Sequence, residues 1–91
     1  MMYLYAGKNR ILRRGRIIGI FDLDTASRGE DTRRYLRQAE RDGKTERASE
    51  DLPKSFVLYR GEKGESRVLF TPLSAAALKG RPSAAGAPNK K

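Results

Sequence analysis

The sequence predicts a small α+β domain with a mostly antiparallel sheet, in the order β-β-β-α-β-β-α. Three observations carry that expectation. Ile17 to Leu23 is apolar on both alternate sets of side chains and rich in β-branched and aromatic residues, the pattern of a central strand covered on both faces. Ser55 to Arg60 and Arg67 to Phe70 flank Gly61-Glu62-Lys63-Gly64-Glu65 in the clearest hairpin of the chain. Between these elements, Ser27 and Glu30 have the Ser-x-x-Glu spacing of a capping box ahead of a helical pattern.

Each element follows from its own residues. Met2 to Ala6 alternates Tyr3 and Tyr5 against Leu4 and Ala6, a short first strand that turns at Gly7-Lys8-Asn9 into a second strand over Arg10 to Arg14. Gly15 allows a turn into the Ile17–Leu23 strand, and Gly19 weakens that strand unless a bulky neighbour comes close there. The first helix is expected from about Arg28 to Asp42. Glu30 and Asp31 sit near its positive end, Arg37 and Arg41 near its negative end, and Gly43 stops it. Its apolar stripe is thin: Thr32, Tyr35, Leu36 and Ala39. Lys44 to Asp51 reads as a loop or a weak edge strand. Thr71-Pro72 reads as a cap followed by proline at the first position of a short helix, with Leu73, Ala77 and Leu78 on one side and Gly80 as its end. Residues 1–80 thus form one domain, and the basic Pro-, Ala- and Gly-rich stretch 81–91 is expected to be a disordered tail that folding does not need.

Composition removes most chemistries. At 91 residues the chain is near the lower limit for a self-sufficient core, which favours support from beyond the monomer. It has no Cys and no His, so disulfides, thiolate or imidazole metal ligands, Cys nucleophiles and Ser-His-Asp triads are absent. No apolar run is long enough to span a bilayer and no secretory leader is visible, so a cytoplasmic protein is expected.

The net charge of +9 is unevenly placed. Residues 17–78 carry eleven basic and eleven acidic side chains, whereas Lys8, Arg10, Arg13, Arg14 and Arg16 stand together without an acid and Lys79, Arg81, Lys90 and Lys91 supply the rest. Basic patches flanking a neutral body attract polyanions, nucleic acid first and anionic membrane second. The alternative is that the charge serves solubility alone. On the first helix, Arg33, Arg34, Arg37 and Arg41 alternate with Glu30, Asp31, Glu40 and Asp42, which points to an ion-paired, solvated face over a second binding surface.

Two short motifs carry less than they suggest. Phe21-Asp22-Leu23-Asp24-Thr25 looks like the nucleophile motif of haloacid-dehalogenase-type phosphatases, but the chain lacks the length and the alternating β-α pattern of those enzymes. Asp22 and Asp24 then serve to end the strand or to pair with arginines, and no third oxygen cluster stands near enough in sequence to complete a metal site. Gly61-Glu62-Lys63-Gly64 lacks the ending and following helix of a phosphate-binding loop. Tyr3, Tyr5, Phe56, Tyr59 and Phe70 are candidates for base stacking, against the more ordinary roles of core or subunit contact. No enzyme activity, cofactor, metal or small-molecule substrate is expected.

Met2-Tyr3-Leu4-Tyr5-Ala6-Gly7, Ile17-Ile18-Gly19-Ile20-Phe21-Asp22, Pro53-Lys54-Ser55 and Thr71 to Arg81 occur in this order. Together they resemble the RemA/RemB-type bacterial extracellular-matrix (biofilm) regulatory proteins, over nearly all of residues 2–81. The resemblance implies a DNA-binding transcription regulator, nucleoid-associated, assembled as a closed ring, heptameric or of similar size. It implies a DNA contact at Arg16 and a basic position at Lys54, while Asp51 and Leu52 stand where RemA carries tandem arginines. With Arg10, Arg13 and Arg14 nearby, the expected interface with duplex DNA is Arg16, Arg14, Arg13, Arg10 and Lys54. The rival expectation is a ring-forming scaffold that binds a protein partner instead of DNA.

Overall fold

The computed structural model describes residues 3–7 and 10–80. The expected disordered tail and the turn residues Lys8 and Asn9 lie outside the described residues.

Strands β1 (Tyr3–Tyr5) and β2 (Ile11–Arg13) form an antiparallel hairpin. A 3-10 turn over Arg14–Arg16 leads into β3 (Ile17–Asp22), followed by a short helix α1 (Leu23–Ala26) and the main helix α2 (Glu30–Arg41). Then come β4 (Thr45–Arg47), β5 (Ser55–Arg60), β6 (Ser66–Thr71) and helix α3 (Ala75–Gly80). The four-stranded sheet has the order β3-β5-β6-β4 and is antiparallel except where β4 runs parallel to β6. This is an α+β fold with mostly antiparallel sheets.

Alternation along β5 and β6 assigns the two faces of the sheet. Val57, Tyr59 and Leu69 point to one side, where Leu4, Ala6 and Leu12 of the hairpin and Leu78 of α3 cover them. Phe56 and Val68 point to the other, under Ala39 of α2, with Leu36, Leu23 and Ala26 packed alongside. The thin stripe of α2 covers this face with help from α1, and leaves Phe21 at the β3 edge exposed.

Several expectations need correction. The Ile17–Leu23 segment is not the central strand: β3 lies at the sheet edge, and β5 and β6 occupy the middle. Its continuous apolarity comes from a bulge. Ile17 pairs with Tyr59 and Gly19 with Leu58, so Ile18 is the extra residue and points outward, 49% exposed. Gly19 has the close neighbour its position demanded, since a Cβ there would come within 2.7 Å of the Phe21 ring. Thr45–Arg47 is a genuine edge strand despite its polarity, because its backbone pairs with Val68–Phe70.

The helix starts also shift. Asp22 caps α1 by accepting from the Asp24 N–H at 2.9 Å, Ser27 closes α1, and the extended Gly29 separates α1 from α2. Ser27 and Glu30 therefore form no capping box. Gly43, with φ 70°, follows α2 in the left-handed region that suits glycine. Thr71 belongs to β6, and the cap of α3 is Ser74, whose Oγ accepts from the Ala77 N–H at 3.0 Å.

Candidate nucleic-acid interface

The end of the sheet where β3 begins and β5 finishes carries an open groove of about 720 Å³. Because Ile17 lies opposite Tyr59, the register sets Arg16 beside Arg60, and the β5–β6 turn adds Lys63. The hairpin supplies Arg10 and Arg13, and β6 supplies Arg67. Glu46, Glu62 and Glu65 also line the groove, so cations outnumber acids six to three.

The floor is internally neutralised. Glu46 of β4 receives the Arg10 guanidinium, accepts from the Tyr59 hydroxyl at 3.0 Å and stands 4.0 Å from Arg67. Arg67 also pairs with Glu65 at 3.5 Å. Burial pushes the Tyr59 phenol up from its ordinary value, against a downward pull from Arg67, so it stays the neutral donor this network uses. The Glu65 carboxyl is held below its ordinary value by backbone N–H groups of its own residue and of Lys63, and by Arg67.

The rim is different. Arg13, Arg60 and Lys63 are exposed and Arg16 is half-buried, and none of the four forms an ion pair among the described residues. Each is fixed to a strand, a tight 3-10 turn or a hairpin turn. Four such cations on rigid elements make a surface that can take phosphates at small ordering cost.

The expected site residues thus divide. Arg13 and Arg16 line one groove, with Arg14 between them in the 3-10 turn. Arg10 lines the same groove but is engaged by Glu46, 36 residues away in sequence, so its isolation from acids holds in the sequence and not in the fold. Lys54 stands apart. Its carbonyl accepts from Leu23 N–H and its N–H donates to Thr71, pinning it at the far end of β5, about 20 Å along the strand from Arg60. Arg60 and Lys63 escaped the sequence reading because they lie in the neutral stretch of the chain; only the β3–β5 register carries the signal that Arg60 faces Arg16.

The arginines of α2 lie on the opposite layer. Arg34 pairs with Asp31 at 3.2 Å and Glu30 at 3.7 Å, and Arg33 donates to the carbonyls of Ser27 and Arg28. The face is solvated, as the alternation of charges suggested, but among the described residues Arg34 is the one arginine of these four that is ion-paired, and Arg37 and Arg41 form no ion pair. No family model matches the sequence, and a search of curated proteins returns no match.

Proposed function

We propose that the protein is a non-enzymatic DNA-binding transcription regulator that holds duplex phosphates on the groove rim and acts as a ring-like homo-oligomer. The observation that carries this reading is the convergence of Arg13, Arg16, Arg60 and Lys63, unpaired among the described residues, on one groove. The resemblance to extracellular-matrix regulators adds the target, biofilm-matrix genes, and the repetition of the groove around a ring. Arg14 lies within the same turn, Arg10 braces the floor, and Lys54 serves a second point of contact a strand's length away. Backbone contacts of this kind give affinity with little base readout.

Electrophoretic mobility shift with generic duplex DNA across a salt series tests it. Each phosphate that a variant no longer neutralises flattens the slope of log affinity against log salt by about 0.9, multiplied by the number of grooves engaged. Arg13→Ala, Arg16→Ala and Arg60→Ala are expected to weaken binding to all duplex sequences and flatten the slope, with Arg37→Ala on α2 unchanged. If the groove variants bind like the parent while Arg37→Ala and Arg41→Ala abolish binding, the interface is the α2 face. A parent that forms a multimer but is not retained by DNA at any salt favours the scaffold that binds a protein partner.

A further inference from the structure

The tyrosines on the outer face of the β1–β2 hairpin have no part in the proposed binding of duplex DNA. Leu4 and Leu12 point into the core, at 1% and 6% exposure, so the alternate residues point out. These are Tyr3, Tyr5 and Ile11, exposed by 50%, 44% and 58%, with Arg13 directly across from Tyr3. Of the five aromatic residues that the sequence offers for stacking, the fold buries Phe56 and Tyr59 and packs Phe70 against Phe56. The two it leaves outward share one strand and one face.

We infer that this face is a stacking platform for single-stranded DNA, continuous with the duplex-binding groove. The occupant follows from chemistry and placement. Two aromatic rings beside an arginine fit a strand whose bases are free and whose backbone is anionic, and they fit duplex DNA poorly because its bases are already stacked. Side chains two apart on a strand are separated by about 6.8 Å, twice the roughly 3.4 Å rise per nucleotide of a stacked strand, which leaves room for one base between the rings. Ile11 and Arg13 belong both to this face and to the groove lining, so one chain of phosphates can run from the rim onto the platform. The inference rests on the nucleic-acid reading of the groove and adds to it a preference for DNA that is locally opened.

Binding of an oligothymidylate and of a generic duplex, measured side by side on the full chain, tests it. Stacking is lost with Tyr→Ala at about tenfold in affinity per ring, so Tyr3→Ala with Tyr5→Ala is expected to weaken the oligothymidylate about a hundredfold and the duplex less than about twofold. Tyr3→Phe with Tyr5→Phe keeps the rings and is expected to keep the affinity. The protein has no Trp, so its emission comes from its four tyrosines. Oligothymidylate is expected to quench the parent, and the Phe pair is expected to bind with most of that quenching gone, a readout that does not depend on the Ala variants folding. Undiminished quenching in the Phe pair, or parent-like oligothymidylate affinity in the Ala pair, overturns the platform. So does an Ala pair that sediments as a smaller species with single-strand affinity intact, which makes the face a contact between copies. A parent that binds duplex but not oligothymidylate overturns the platform alone; a parent that binds neither overturns the duplex reading as well.

Discussion

At the residue scale, Tyr59 ties the core to the groove. Its ring packs among Val57, Leu69 and the hairpin leucines, while its hydroxyl donates to Glu46 beside Arg10 and Arg67. Burial raises the phenol above its ordinary value, so the folded state holds the proton more tightly than the unfolded chain. The stabilisation is fully present below the unfolded value of about 10 and is lost as pH rises through the higher folded value, where a phenolate would face the Glu46 carboxylate. Tyr59→Phe is therefore expected to cost about 1 kcal/mol at neutral pH, by removing the hydrogen bond, and to flatten the alkaline fall in stability. Urea denaturation of both proteins from neutral pH to above pH 10 checks this. An equally steep alkaline limb in the variant would assign the fall to other groups.

At the element scale, α3 is a six-residue helix that would not persist alone, and its packing decides its existence. Leu78 is fully buried between the sheet and the hairpin. The chain leading to it is pinned by Ser55, whose hydroxyl donates to the Leu73 carbonyl, and by Thr71, whose Oγ1 accepts from the Leu73 N–H at 3.1 Å. Leu78→Ala is expected to destabilise the domain by about 2 to 5 kcal/mol, a large share of the stability of a chain this size, and to loosen the hairpin with it. Equilibrium unfolding with hydrogen exchange at Leu4 and Leu12 measures both. A cost below about 1 kcal/mol with unchanged protection would show that α3 is peripheral. Elements with local signals were legible in sequence: the β5–β6 hairpin, the Gly43 stop, and the presence of α2 and α3. What was not legible depended on partners distant in the chain. Thr45–Arg47 is a strand only because β6 offers it a ladder, and β3 looked central only because a bulge at Ile18 puts apolar residues on both alternate sets. The groove follows the same rule: Arg13, Arg14 and Arg16 are adjacent in sequence, whereas Arg60, Lys63 and the neutralising Glu46 reach them through strand register.

At the scale of the whole molecule, the fold leaves an apolar region uncovered away from the basic groove. Phe21 and Tyr35, exposed by 40% and 41%, sit with Phe56 and Leu58 around a recess of about 220 Å³ between β3 and α2. Ile18 stands out from the same edge strand at 49% exposure. A bulged edge is poorly suited to extending the sheet by backbone pairing, so side chains, not a continued ladder, are the means by which a second copy would cover this region. In the proposed ring, such a contact would join this surface of one subunit to a different surface of the next around a closing axis. The parent is therefore expected to sediment at micromolar concentration well above its 10.2 kDa chain mass. Tyr35→Glu suits a helix and Ile18→Lys suits an exposed edge, so both are expected to fold while placing charge in the contact and shifting the species toward monomer. DNA affinity should fall with the multimer, because the grooves then act singly, while the salt slope per chain is unchanged. A parent that is monomeric throughout removes the ring, and a multimer untouched by both substitutions places the contact elsewhere on the surface.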